Sequence, residues 1–157
     1  MAVAETVDEL RRRLAAIPDP ELPALTIADL GILRSVKLID DRLEVRLTPT
    51  YFGCPAFEAI RGEVRRVLDE AGYPSAKVEV EYAPAWSTDD VTEAGRRRLA
   101  EAGIAPPPPT GTRAGEVGCP RCGSRETEML SRFGSTPCQA VMRCVSCGEP
   151  FPAMKAH

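Results

Sequence analysis

The chain has 157 residues, with 20 basic and 23 acidic side chains and a formal net charge of −3. Hydrophobic residues make up 43% and charged residues 27%, a mixture typical of globular proteins that excludes a disordered chain. The acidic balance and the aromatic content of 5% argue against a nucleic-acid-binding platform. The length predicts one domain or two small ones.

Histidine occurs once, as His157 at the end of the sequence. This excludes a Ser-His-Asp triad, a Cys-His dyad and a histidine-ligated catalytic zinc, so a transition-metal site must rest on the six cysteines. The first ten residues lack the pattern of a signal peptide, and no apolar stretch approaches membrane length. We therefore expect a cytoplasmic setting with reduced thiols and no membrane partner.

The N-terminal elements begin with a helix. Thr6 and Glu9 form a capping-box pattern, apolar residues then follow helical spacing, and Pro18 ends the helix. A strand around Val36, a turn at Asp40–Asp41 and an alternating strand at 43–47 predict a hairpin.

A second helix is predicted from Pro55 to Gly72, because proline favours the first helical position and glycine the C-terminal end. A third strand follows over 78–82, and Ser87 with Asp90 predicts a cap for a last helix that ends at Leu99. The predicted fold class is α+β, with a small three-stranded sheet and helices on one face. The arginine runs at 11–13 and 96–98 are interpreted as solvated surface.

Composition changes at the four consecutive prolines 106–109, which cannot continue a helix. We predict an α+β domain over 1–104, a Pro-rich linker over 105–118, and a small cysteine module over 119–157.

The cysteine module contains two C-x-x-C-G motifs, Cys119–Gly123 and Cys144–Gly148, with 21 residues between the two cysteine pairs. This spacing favours a structural zinc bound by Cys119, Cys122, Cys144 and Cys147. A single iron or an iron–sulfur cluster is the alternative, and disulfides are disfavoured in a reducing compartment. Cys138 lies between the motifs and is interpreted either as a core residue or as an additional thiol or exchangeable ligand.

Cys54 ends a Gly/Pro loop directly before the second helix. Free backbone N–H groups and the helix dipole stabilise a thiolate there, while Thr48 and Thr50 offer hydroxyls nearby. A buried, unreactive cysteine is the equally weighted alternative, and no histidine is present to serve as its base.

Several segments resemble known families. Residues 19–23 (DPELP), 27–32 (IADLGI) and 48–56 (TPTYFGCPA) are similar to the SufT-like family of iron–sulfur assembly domains. Residues 82–87 (YAPAWS), 133–138 (FGSTPC) and 144–151 (CVSCGEPF) resemble the PaaD family of bacterial phenylacetate degradation. Together these segments run from Asp19 to Phe151, and their order is more specific than any one of them.

The resemblance implies an accessory or maturation factor for a multicomponent phenylacetyl-CoA ring 1,2-epoxidase. Its partners would be subunits of the oxygenase or of its iron–sulfur reductase, and Cys54 would handle iron or a cluster transiently. The matching loop residues are expected to support this thiol, namely Asp19, Glu21, Asp29, Thr48, Thr50 and Pro55. The acidic residues at 19, 21 and 29 are equally well interpreted as turn formers.

Two other functions compete with maturation. The chain is either a stoichiometric structural subunit of the oxygenase, which needs no reactive Cys54, or a nucleic-acid-binding zinc ribbon, which the acidic composition disfavours. We interpret the protein as an accessory component rather than a catalyst, with no nucleic-acid partner and with homodimerisation left open.

Overall fold

The computed structural model describes residues 5–50, 55–109 and 117–155. The chain divides into two compact units, Met1–Trp86 and Ser87–His157. Each contains one three-stranded sheet, so the predicted α+β class with a small sheet is confirmed. Among the described residues, no helix combines the length and apolarity needed to cross a membrane.

The first unit contains helix α1 (Val7–Ala15), strands β1 (Leu33–Ile39) and β2 (Arg42–Leu47), helix α2 (Pro55–Glu70) and strand β3 (Lys77–Val80). The predicted capping box is present, because the Thr6 side chain accepts from Glu9 N and the Glu9 side chain accepts from Thr6 N. Asp40 and Asp41 both adopt positive φ and turn the β1–β2 hairpin.

The strand order is β1-β2-β3, with β1–β2 antiparallel and β2–β3 parallel. Helix α2 makes the crossover that parallel pairing of consecutive strands requires. Helix α1 contacts both β1 and α2. The core combines buried residues of the sheet with those of both helices: Leu10, Leu14, Val36, Leu43, Val45, Leu47, Phe57, Ile60, Val64 and Leu68.

Two predicted boundaries differ from the structure. Strand β3 ends at Val80, and the last hydrogen bond of its pairing with β2 runs from Glu81 N to Leu47 O. Tyr82, which was expected in this strand, lies beyond it and is exposed. Ser87 and Asp90 do form a capping box, but it caps a 3-10 helix at Thr88–Asp90. The following helix α3 (Glu93–Glu101) has its own cap, Thr92, whose side chain accepts from Gly95 N.

The second unit contains this 3-10 helix, α3, and strands β4 (Thr127–Ser131), β5 (Gln139–Cys144) and β6 (Pro150–Met154) in an antiparallel sheet. This unit starts at Ser87, and the expected domain boundary at residue 104 stays a prediction. Ala105, the first residue of the predicted linker, is fully buried and pairs with Ala153 beside β6.

Arginine side chains from both predicted surface runs make specific hydrogen bonds. Arg11 donates to Val36 O at 2.9 Å in the first unit. Arg96 donates to Thr88 O at 2.9 Å and to Pro107 O at 2.5 Å in the second. The interpretation as solvated surface is therefore incomplete for these two residues, because each one hydrogen-bonds its helix to backbone carbonyl oxygens of a neighbouring segment.

Candidate metal centre and thiol site

The two C-x-x-C-G motifs bring four thiols together in the second unit. The Sγ atoms of Cys119, Cys122, Cys144 and Cys147 all lie within 4.8 Å of one another. The separation is 3.8 Å between Cys119 and Cys147 and 3.5 Å between Cys122 and Cys144. Tetrahedral zinc with Zn–S bonds of about 2.3 Å places its sulfurs about 3.8 Å apart, so the thiols fit one tetrahedral ion.

The same turn positions each pair of thiols. Gly123 N donates to Cys119 O and Gly148 N donates to Cys144 O, both at 2.9 Å. Gly123 and Gly148 have φ of 77° and 76°, a backbone conformation that favours glycine. The repeated C-x-x-C-G sequence therefore encodes two matching loops that present their sulfurs from tight turns.

The four-cysteine centre lies at the edge of a small apolar core. Cys119 and Cys144 are buried in a cluster with Met142, Phe151 and Ala153. Cys122 and Cys147 are exposed. A bound ion would therefore rest against apolar side chains on one side and face solvent on the other.

Backbone and side-chain neighbours separate the acidities of these thiols. The backbone N–H of Cys147, 3.4 Å from Cys144 Sγ, lowers the pKa of Cys144 to about 7. The backbone N–H of Ser124 lowers the pKa of Cys122, but the Cys144 thiol and desolvation raise it to about 12. Four adjacent thiols cannot all ionise in the absence of a cation, so metal binding must release protons.

Further contacts around the centre were not anticipated from the sequence. The hydroxyl oxygens of Ser124 and Ser146 lie 2.8 Å apart and connect the two motifs. Arg121 donates to Glu149 at 2.6 Å, and Glu149 together with the Cys147 and Cys119 sulfurs raises the pKa of Arg121. Nothing in local sequence signals these contacts, because they join residues more than 20 positions apart.

The acidic loop residues have structural partners. Asp19 is buried, and its Oδ1 accepts from the backbone N–H groups of Glu21 and Leu22 at 2.8 Å each. Asp29 is also buried and forms a reciprocal turn with Thr26. Thr26 N donates to Asp29 Oδ2, and Asp29 N donates to Thr26 Oγ1. These bonds agree with the turn-forming interpretation. Desolvation and then the Asp19 charge raise the pKa of the half-buried Glu21.

The candidate thiol Cys54 lies outside the described residues. On one side of it, Thr48 follows the end of β2, and on the other, Pro55 opens α2. Thr48 is 1% exposed, and its Oγ1 has no hydrogen-bond partner in the described part of the chain. Thr50 is half-buried and Pro55 is exposed. An unpaired buried hydroxyl is costly, so Thr48 stands out among these neighbours.

Cys138 is not one of the four clustered thiols. It is buried directly before β5, with its Sγ 3.1 Å from Thr136 Oγ1. This placement agrees with a core cysteine.

The fold and the thiol cluster define a class of protein, an α+β domain followed by a four-cysteine β ribbon. The family model described as "Iron-sulfur cluster assembly protein" matches residues 7–82, and the model described as "PaaD zinc beta ribbon domain" matches residues 104–155.

A curated relative covers nearly the whole chain. It is an Escherichia coli (strain K12) protein named as one of the subunits of a "Putative 1,2-phenylacetyl-CoA epoxidase", and it is 45% identical over 152 residues that cover 95% of this chain and 92% of the relative. The chain therefore belongs to the PaaD family, and the resemblance inferred from its motifs is confirmed.

Other relatives match the N-terminal part. The "Fe-S protein maturation auxiliary factor" of Porphyromonas gingivalis is 30% identical over 91 residues, covering 57% of this chain and 86% of that protein. A crystal structure of a domain of unknown function from Bacillus anthracis has a TM-score of 0.51 and 28% identity, covering 59% of this chain and 89% of its own. A conserved hypothetical protein from Thermotoga maritima shares the fold, with a TM-score of 0.50 and 21% identity over 63% of this chain and 98% of its own.

Proposed function

We propose that this protein is an accessory maturation factor for a multicomponent phenylacetyl-CoA ring 1,2-epoxidase, assisting the insertion of iron or an iron–sulfur cofactor through Cys54. The observation that carries the proposal is the joining of two family matches in one chain, an iron–sulfur assembly domain over 7–82 and a PaaD ribbon over 104–155. The first of these includes the candidate thiol. The second lies within the region that matches the Escherichia coli relative named for the epoxidase.

Thiol chemistry supports Cys54 as the transfer residue. A thiolate is a soft ligand suited to iron, and a single cysteine ligand holds a metal weakly enough to release it. The four clustered cysteines are suited to the opposite task, because complete tetrahedral coordination retains an ion. We therefore assign transient binding to the first unit and permanent binding to the second.

We further propose that the ion in the second unit is zinc and that its role is structural. The sulfur separations of 3.8 and 3.5 Å fit a tetrahedral ion, and Cys119, Cys122, Cys144 and Cys147 complete its coordination. No open position is then left for catalysis. Iron in the same site would be recognised by its visible absorption.

Metal analysis tests both assignments. We would purify wild type, Cys54→Ser and the matched control Cys138→Ser without oxygen, and measure zinc, iron and acid-labile sulfide per chain. About one zinc in all three is expected from one complete four-cysteine site, with iron or sulfide lost only in Cys54→Ser. Iron in place of zinc in every variant would contradict the structural-zinc assignment.

Cofactor content of the client tests maturation directly. Epoxidase components produced with Cys54→Ser are expected to carry less iron and to show lower activity than components produced with wild type or Cys138→Ser. The competing function is a stoichiometric structural subunit, which the name of the Escherichia coli relative favours. That function predicts stable co-purification at a fixed ratio and full client activity with Cys54→Ser.

A further inference from the structure

Large apolar side chains are exposed along one short stretch of the ribbon. The exposed fractions are 49% for Met129, 52% for Leu130 and 83% for Phe133. Met142 and Phe151, by contrast, are each 3% exposed in the same sheet. The exposed residues come from the end of β4 and the loop that follows it. Exposed apolar residues this close together in sequence make the β4–β5 loop a candidate interaction site.

The loop holds Phe133 in a fixed position. Ser131 Oγ accepts from Phe133 N and donates to Phe133 O, both at 3.1 Å. Gly134 N donates to Gln139 O at 3.0 Å, and a Cβ added to Gly134 would lie only 3.0 Å from that same oxygen. The backbone of the loop is therefore closely packed, which reduces the cost of ordering it when a partner binds.

Positive charge flanks the aromatic ring. Lys155 Nζ lies 5.6 Å from the centroid of the Phe133 ring. Arg132, the residue before Phe133, is exposed and forms no ion pair in the described part of the chain. Elsewhere in the ribbon, Arg121 pairs with Glu149 and Arg143 pairs with Glu128. The cations next to Phe133 are thus available for carboxylates of a partner.

We propose that Leu130, Arg132, Phe133 and Lys155, called here the Phe133 patch, dock the client protein of the maturation reaction. The complementary surface is an apolar pocket rimmed by Asp or Glu side chains on a component of the epoxidase. Phe133 fills the pocket as an aromatic anchor, and Arg132 and Lys155 meet the acidic rim. This inference rests on the proposed function, because it takes the epoxidase as the client.

Binding of the full-length chain to purified epoxidase components tests the patch. We would compare wild type with Phe133→Ala and Arg132→Glu, and use Leu38→Ala as a matched control, since Leu38 is 55% exposed in the first unit. We expect Phe133→Ala to weaken the Kd at least about 30-fold, as for a central anchor residue. Arg132→Glu should slow association and reduce its salt dependence, and Leu38→Ala should bind as wild type.

Bound zinc, measured for each variant, shows that the ribbon remains folded. Wild-type affinity of Phe133→Ala for the epoxidase components would overturn the proposal. Self-association of wild type that Phe133→Ala abolishes, with client binding unchanged, would also overturn it and assign the patch to a second copy of the chain. Full maturation activity in Cys54→Ser would instead reject the proposed function, whether or not Phe133→Ala still binds.

Discussion

The two compact units are stabilised in different ways. The first buries large aliphatic side chains from two helices and a sheet, including Leu14, Val64 and Leu68, all fully buried. The second has a core cluster around its metal centre in which Cys119 and Cys144 stand beside Met142, Phe151 and small alanines. A cluster this small stabilises the ribbon only weakly, so a metal ion bound by the four cysteines would add to its stability.

This difference indicates a division of labour. Four cysteines are committed to one closed cluster in the second unit. The described core of the first unit is built from aliphatic side chains, whose burial stabilises a fold without a metal ion. Under the proposed function, Cys54 can therefore gain and lose a metal ion without unfolding the domain that carries it.

Loss of the metal should have the largest effect on folding stability, and this effect should be confined to the second unit. Chelation, or Cys119→Ser, is expected to unfold the ribbon, because apparent zinc binding in such sites contributes about 10–16 kcal/mol to folding. Hydrogen exchange measured by mass spectrometry should show lost amide protection in β4–β6 and retained protection in α1 and α2. Cys138→Ser is the control and should retain zinc. A protected ribbon after chelation would mean that its apolar core suffices.

A core substitution should produce the converse pattern. Leu14→Ala removes a fully buried side chain of α1 and should lower the free energy of unfolding of the first unit by about 2–5 kcal/mol. Zinc content should not change. Leu38→Ala, at an exposed position of the same unit, should cost less than about 0.5 kcal/mol. Denaturation followed by circular dichroism measures both, and release of zinc at the Leu14→Ala transition would show that the units unfold together.

Metal retention should depend on pH in the direction set by the thiols. Cys122, with its pKa raised to about 12, is protonated in the metal-free protein at neutral pH, and Cys144, with its pKa lowered to about 7, takes up a proton below that value. Zinc binding displaces these protons, so affinity should rise at least about tenfold per pH unit above pH 7 and more steeply below it. Competition with a chelator of known affinity at pH 6 to 8 measures the slope, and a flat profile would contradict this assignment of protons.

The smallest expected effect concerns the first unit alone. Thr48→Val replaces a buried hydroxyl that has no partner in the described part of the chain, and should raise the free energy of unfolding by about 1 kcal/mol. Thr48→Ser keeps the hydroxyl and should show no such gain. Urea denaturation compares the two variants. A loss of stability in Thr48→Val would show that the hydroxyl is satisfied in solution.

Local sequence signals predicted most of the elements. The Thr6–Glu9 capping box, the hairpin turn at Asp40–Asp41 and the helix that opens at Pro55 all lie where expected. These signals are reliable because each involves residues within about four positions of one another. Prediction was less accurate after Val80, where the Ser87 cap opens a 3-10 turn and Thr92 caps the helix. Two adjacent capping signals cannot be ranked from sequence alone.

The cluster of four cysteines was predictable for the same reason. Cys119, Cys122, Cys144 and Cys147 are identified by a motif that closes each loop locally, and the spacing leaves room for the intervening hairpin. The exposure of Phe133 was not predictable. It depends on the conformation of the β4–β5 loop, in which Gly134 packs closely against Gln139.

The sequence by itself determined the α+β class, the four clustered cysteines and the family, because capping, turn and C-x-x-C-G motifs act over short distances along the chain. Only the tertiary structure decided the parallel pairing of β2 with β3 and the pairing of Ala105 with Ala153. It also decided the burial of Thr48 and the presentation of the Phe133 patch. These features depend on contacts between residues far apart in sequence, whose free energy is set by packing and by the burial of backbone polar groups.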